Sequence, residues 1–226
     1  MCLAWLAVSG CATTATDPRD PLEGYNRAMF AVNEVVDEAL IKPVARAYKA
    51  VAPAPLRSMV RNFFANLEDP FIGANNMLQG KFLDGWTDWA RFAFNTVFGV
   101  LGINDVASEM GLEKHNEDFG QTFGRWGVGD GPYLVLPFFG PSTLRDAGGL
   151  VLDVTADPVS RHRPVDERNA ATAARIVSRR ADLLEASRLL DEAALDRYVF
   201  LRDAHLQRRR SLVYDGSPPR EKRPAE

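Results

Sequence analysis

Between Gly124 and Gly149 the chain carries seven glycines, with Pro132, Pro137 and Pro141 set among them. The backbone freedom of glycine and the missing N–H of proline prevent one regular helix from running through such a stretch. Yet Tyr133-Leu134-Val135-Leu136-Pro137-Phe138-Phe139 lies in its middle, and no charge occurs over the 14 residues from Gly131 to Leu144. A helix needs about 20 apolar residues to cross a bilayer, so this run is too short to span one. Two readings remain open: a strand-like loop inside a protein core, or a re-entrant or interfacial element against lipid. Alternation of period two from Tyr133 to Phe139 favours extended backbone, while Pro137 argues against a central strand. Burial of each large apolar side chain contributes roughly 1.5–3 kcal/mol in either setting, so energy alone does not choose.

On both sides the pattern is helical. Asp20-Pro21-Leu22-Glu23 offers a cap acceptor, a proline at the first helical position and an acid after it, a strong helix start. Tyr25, Met29, Val32, Val36 and Leu40 follow at helical spacing until Pro43 interrupts them. A second helix is predicted from near Pro55 to Asp69-Pro70, and a short third over Phe71 to Leu78. From Phe82 to Phe98, the apolar residues fill more than one face, the mark of a helix buried in protein or in lipid. The C-terminal part, about Asp166 to Arg210, reads as charged amphipathic helices, with Arg208-Arg209-Arg210 as favourable charge at a helix C-terminus.

With 226 residues, the chain can bury a core without disulfides. Twenty-seven Lys+Arg against 30 Asp+Glu give no basic excess, so nucleic acid is not an expected partner. The two cysteines, Cys2 and Cys11, both precede the body, which excludes a cysteine nucleophile and Cys-zinc sites there. His115, His162 and His205 are too far apart in sequence to form a ligand pair, so no metal or other cofactor is expected. There is no GxSxG elbow for a lipid hydrolase. Gly127-Val128-Gly129-Asp130-Gly131 lacks the ending of a phosphate loop, so the chain is not read as an enzyme. His115 beside Glu117 and Asp118 is read as a solvated loop rather than an acid–base pair.

The apolar run Leu3 to Val8 leads into Ser9-Gly10-Cys11, which resembles a bacterial lipobox. Residues 1–10 are read as a signal peptide whose basic segment lies upstream of the present start. Cys11 is the lipid anchor, carrying acyl chains such as palmitate, and Ala12 after it implies outer-membrane sorting. Residues 11–19 form a flexible lipidated linker, 20–213 the helical domain and 214–226 a disordered tail.

Several motifs recur in one order: Asp20-Pro-Leu-Glu-Gly-Tyr-Asn-Arg-Ala-Met-Phe30, Asn62-Phe-Phe-Ala-Asn-Leu67, Asn76-Met-Leu-Gln-Gly80 and Arg91-Phe-Ala-Phe-Asn95. Further on come Asp105-Val-Ala107, Asp118-Phe-Gly-Gln-Thr122, Gly131-Pro-Tyr-Leu-Val-Leu-Pro137, Gly140-Pro-Ser142 and Arg145-Asp146. With them the chain resembles the VacJ/MlaA family of outer-membrane lipoproteins over nearly its whole length after residue 20. The Arg-rich segment from Arg161 to Arg180 matches no fixed pattern of that family. The resemblance implies an all-α, ring-like, membrane-embedded domain on the periplasmic side of the outer membrane. Its amphipathic channel would remove mislocalised phospholipids from the outer leaflet and pass them to a periplasmic lipid-carrier protein, usually beside a trimeric porin. Phospholipid would be the ligand, with Tyr133, Leu134, Val135, Leu136, Phe138 and Phe139 on the lipid pathway or facing the membrane. Asn66, Asn75, Asn76, Gln79, Arg91 and Asn95 are candidates for the polar channel face, because a headgroup needs polar contacts; helix capping and buried hydrogen bonding are equal alternatives for each. The competing reading is a lipid-anchored structural or envelope-interaction protein whose apolar middle is simply core.

Overall fold

The structure, a computed structural model, describes residues 17–219. The leader, Cys11, linker positions 11–16 and tail positions 220–226 lie outside the described residues. Among the described residues the chain is helical apart from one two-stranded hairpin. The folded body begins earlier than residue 20: Arg19 pairs with Asp203 at 3.1 Å and Asp17 with Arg202 at 3.1 Å. It also extends past 213, where Asp215 meets Lys81 at 2.7 Å.

Helix α1 (Glu23–Val36) starts two residues after the position that the sequence predicts, and Asp20 is not its cap. The Asp20 carboxylate is fully buried, accepting from Asn26 Nδ2 at 2.7 Å and from the Tyr198 hydroxyl, so it cannot reach the first-turn amides. Nor does Pro43 interrupt the rod. A widened π-helical turn, Asp37–Ile41, carries α1 into α2 (Lys42–Val51), with the Lys42 N–H bonded to Asp37 O five residues back. The looser turn relieves the clash between the proline ring and the carbonyl one turn earlier.

Helix α3 (Ala54–Leu78) runs straight past Asp69-Pro70, so the predicted stop and the separate helix over Phe71 to Leu78 are one element. Packing outweighs the local penalty of proline. Helix α4 (Phe82–Val97) lies against α3, and a Cβ on Gly73 would stand 2.8 Å from Gly85 O while one on Gly85 would stand 2.8 Å from Gly73 O. The helices therefore meet backbone to backbone. Gly80, at φ +83°, makes the left-handed turn between them.

The short helices α5 (Val106–Glu109) and α6 (Phe119–Arg125) are capped by Asp105 and Asp118. Next comes the hairpin β1 (Tyr133–Leu136) and β2 (Gly140–Thr143), antiparallel with Leu136 opposite Gly140. Pro137, Phe138 and Phe139 form its tip. Helix α7 (Leu144–Ala156) follows, capped by Thr143, and it does run through Gly148-Gly149. Gly149 is required there, since a Cβ would stand 2.4 Å from Gly120 N on α6. Helices α8 (Pro158–Arg161), α9 (Val165–Ala193) and α10 (Arg197–Val213) complete the chain, α9 packing on α2 and α3 and α10 on α6 and the hairpin.

Two asparagines of α1 hold the open edge of β1. Asn26 donates to Tyr133 O at 3.0 Å and accepts from Val135 N at 2.8 Å, and Asn33 donates to Leu136 O at 2.9 Å and accepts from Phe138 N at 2.8 Å. Seven helical residues rise about 10.5 Å and three extended residues about 10 Å, so the two spacings match. The helix supplies side-chain amides where a third strand would supply backbone, which prevents the sheet edge from pairing with another chain.

Candidate functional site

The distribution of side chains is inverted. Among the described residues, eleven apolar residues are buried against nineteen polar or charged ones, and the largest fully buried side chain is Arg91. Outside, Phe82, Leu83, Trp86, Val97 and Phe98 of α4 and its C-terminus are all more than 60 % exposed. The opposite face of the same helix buries Gly85, Asp88, Arg91 and Asn95. The apolar surround predicted for α4 therefore faces outward. Trp89 and Trp126 expose their rings, yet their indole N–H groups donate to Pro70 O at 3.0 Å and Leu78 O at 2.9 Å. Such rings present no unsatisfied donor to an apolar solvent. No helix among the described residues is long and apolar enough to cross a membrane.

The polar residues singled out from the sequence on and beside α3 and α4 bond to other side chains and to backbone of neighbouring elements. Arg91 forks onto Asp105 at 2.9 and 3.0 Å and reaches Ser108 and Leu112 O. Asn95 donates to Asp105 and accepts from Ala107 N. Asn76 donates to Asp88 at 2.7 Å, whose other oxygen meets His115 at 2.9 Å. Gln79 donates to Glu117 and Thr122, and Asn66 to Thr96. The segment around His115 is thus not a solvated loop: Glu117 is bound by Lys81 at 2.8 Å, and Asp118 by Arg209. Asp69, buried between Lys114 and Arg91, has its carboxyl pushed up to about 6 by burial, which outweighs both cations.

Two adjoining clefts open, of about 330 and 170 Å³, sharing Asp118, Phe139, Leu150 and Asp153, and of the nominated polar residues Asn75, which accepts from the Thr122 hydroxyl at 2.7 Å, lines the larger. They lie among α3, the segment before α6, the hairpin tip, α7, α9 and α10. Leu67, Phe71, Ile72 and Val154 form apolar wall in the larger. Leu136 and Pro141 do so in the smaller. Polar groups interrupt this wall, so the lining is amphipathic.

A chain of alternating charges crosses the smaller cleft. Arg209 binds Asp146 through Nε at 2.8 Å and Asp118 through Nη2 at 2.9 Å; Arg145 binds Asp146 at 2.8 Å and continues to Asp130. Arg209 is therefore not surface charge at a helix end but a buried clamp joining α10, α7 and the start of α6. Gly120 lies beneath it, with no room for a Cβ: Asp146 Oδ1 would be 2.6 Å away. Burial disfavours the Asp118 anion, but the hydrogen bonds and charge of Arg209 outweigh it and hold the carboxyl below its ordinary value. Asp153 differs. It accepts from Phe119 N at 3.2 Å and among the described residues has no cationic partner within 4 Å, so burial pushes its carboxyl up to about 6. Burial pushes His205, which lines the same cleft, down to about 4, leaving it neutral near pH 7.

The apolar run is divided by the hairpin. Tyr133 and Val135 are buried against Tyr198 in the small hydrophobic core, and Leu134 is half-buried. Leu136 faces the smaller cleft, Phe139 both clefts, and Phe138 is 76 % exposed at the tip with φ +65°. Core strand and exposed apolar element thus coexist within seven residues. The structure gathers around the clefts Asp118, Asp146, Asp153, Arg175, Arg179 and Arg209, none of which the sequence had nominated as a channel residue. Asp118 and Asp146 lie in the quoted motifs, Arg209 in the arginine triplet and Arg175 and Arg179 in the Arg-rich segment, while Asp153 carried no signal. Among the described residues no group of three potential metal ligands comes together.

The family model for the MlaA lipoprotein matches residues 18–212. The intermembrane phospholipid transport system lipoprotein MlaA of Escherichia coli (strain K12) is 37 % identical over 214 residues, covering 92 % of this chain and 84 % of that protein. The MlaA lipoprotein of Haemophilus influenzae is 30 % identical over 224 residues, covering 95 % and 89 %. A solved structure, described as the structural basis for maintenance of bacterial outer membrane lipid asymmetry, superposes with a TM-score of 0.75 at 36 % identity. It covers 86 % of this chain, which covers 98 % of it.

Proposed function

We propose, for a chain that belongs to the MlaA lipoprotein family, that it takes mislocalised phospholipids from the outer leaflet of the outer membrane and delivers them to the periplasmic side. The observation that carries this is the inverted body with an amphipathic cleft inside it. Aromatic and aliphatic side chains project from α4, while polar side chains face inward. A phospholipid in transit needs polar contacts for its headgroup and apolar wall for its chains, because an unpaired charge in hydrocarbon is costly. The clefts beside Phe139 and Asp153 offer both. Carriage of lipid without bond cleavage fits this lining, and the relatives are named for transport rather than hydrolysis.

The finer parts of the proposal are an acylated Cys11 holding the body on the periplasmic face, a periplasmic carrier that receives the lipid and a porin trimer alongside. An exposed apolar belt too short to span suits a body seated in one leaflet.

The test is Phe139→Asp, with Leu136→Asp beside it. Phe139 is 64 % exposed and lies where both clefts meet, so a carboxylate there spares the core and obstructs the acyl path. Cells expressing either variant at wild-type protein level should accumulate phospholipid in the outer leaflet as cells lacking the protein do. Unchanged lipid asymmetry with a folded variant would sink the transport reading in favour of a structural envelope protein.

A further inference from the structure

The larger cleft is not merely polar on one side; its charges are arranged in complementary pairs with one exception. Asp157 is bound by Arg175 at 2.6 Å and Glu68 by Arg179, while Glu117 is bound by Lys81 at 2.8 Å. Asp118 and Asp146 share Arg209. Asp153, on α7 where the two clefts join, has only the Phe119 N–H. Among the described residues it therefore stands as a carboxylate without an ion-pair partner in an amphipathic cavity, with a pair of arginines on the wall of the same cleft.

We propose that Asp153 receives the terminal ammonium of an amine-bearing phospholipid whose phosphate faces Arg175 and Arg179, so that the passage favours zwitterionic over anionic lipid. This rests on the transport reading and names the lipid class that the same site prefers. A headgroup with an ammonium and a phosphate on one short stem presents both charges that this cleft can answer. An anionic headgroup, such as a glycerol phosphodiester, keeps the phosphate contact but leaves Asp153 unpaired and brings its own negative charge beside it. Burial already disfavours the Asp153 anion, as its raised carboxyl shows, and an ammonium would supply the missing counter-charge. Apolar wall from Phe71, Ile72, Leu150 and Val154 holds the acyl chains and separates lipid from a free headgroup.

The experiment uses the full-length lipoprotein purified in detergent and equilibrated with equimolar phosphatidylethanolamine and phosphatidylglycerol, the retained lipid being quantified by mass spectrometry. Wild type should retain the amine lipid in preference by about threefold to tenfold, as expected of one charge-assisted contact in partly wet surroundings. Asp153→Asn, which preserves the acceptor for Phe119 N–H, should bring the ratio close to one by lowering retention of the amine lipid. Asp153→Glu should keep the preference, and Arg179→Gln should lower retention of both lipids alike. A wild-type ratio of one overturns the proposal whatever the variants do, as does an Asp153→Asn ratio equal to a biased wild type. Excess soluble glycerophosphoethanolamine should leave the lipid in place; displacement by it would assign the site to a free headgroup instead. Absence of either phospholipid from the wild-type protein would remove the transport reading itself, a different failure from loss of preference.

Discussion

Polar residues of the α3–α4 pair and those around the clefts occupy the same kind of position, the inward face of helices whose outward face is apolar, yet they do different work. In α3–α4 the groups interlock: Arg91 with Asp105, Asn76 with Asp88, Asn95 with the Ala107 amide. Backbones touch at Gly73 and Gly85, and nothing of headgroup size enters between the two helices. Around α7 and α10 the walls stand apart, and Asp153 and His205 face open volume. In a protein that turns its apolar side outward, burying polar groups does not itself make a passage. Polar groups bonded across to neighbouring elements join helices, and a passage forms where the walls stand apart around a carboxylate without a counter-charge.

Substituting each side of this comparison should give opposite outcomes. The largest effect belongs to Arg91→Met. It removes the buried cation that faces Asp105, the buried Asp69 and Leu112 O, which should destabilise the fold by about 3–5 kcal/mol. That is comparable to the whole stability of many domains, so the variant should fail to accumulate in cells. If Arg91 were instead a channel residue, its loss would leave protein level intact and change lipid traffic alone; immunoblot and lipid analysis of one strain separate the two outcomes.

Next in size is Gly149→Ala, at the close contact of α7 with α6. The added Cβ would meet Gly120 N, backbone that cannot rotate away, and the forced separation should cost about 1–3 kcal/mol. Because Gly120 in turn lies against Asp146 and Arg209, the strain should pass to the clamp at the cleft. The expected signature is a lower denaturation midpoint together with reduced lipid retention. A variant with wild-type stability would mean that the two helices are free to part.

Much of this architecture was legible in the sequence because its signals are local. The helical period gave α1, the start of α3, and the charged C-terminal pair, and alternation from Tyr133 marked the strand. What escaped depends on partners far along the chain. Asp20 looks like a cap until Tyr198 is known to take its carboxylate, and Asn26 and Asn33 give no sign that they will hold a strand more than a hundred residues away. Pro70 reads as a stop because proline disfavours the helix locally, and only the packing of α4 reverses that. Arg209 sits in a triplet of arginines where composition suggests solvent, although its neighbours in space are Asp118 and Asp146. The sequence also marks Asn66, Asn76, Gln79, Arg91 and Asn95 as inward polar residues without revealing that their partners are Thr96, Asp88, Glu117, Thr122, Asp105, Ser108 and nearby backbone. Periodicity reports which way a side chain points, not whether something already occupies the space before it.

The smallest effect tests the open side of the comparison without any lipid. The Asp153 carboxyl is raised from its ordinary value of 3.8 to about 6, so the native state holds more protons than the unfolded chain between those values. Stability contributed by this group therefore falls as pH rises from about 4 to about 6 and stays low above that. Asp118, Asp146, Arg209 and His205 face the same cleft, with Glu68, Glu117, Asp157, Arg175 and Arg179 along the adjoining one. His205, lowered to about 4, works in the opposite direction, which is why only the difference between wild type and Asp153→Asn is informative. That difference should favour the variant by about 1–2 kcal/mol more at pH 7.5 than at pH 4, after discounting the shift for solvent contact. Parallel denaturation curves at the two pH values measure it directly. A pH-independent difference would mean that Asp153 is already compensated, and the cleft would then hold no unpaired carboxylate.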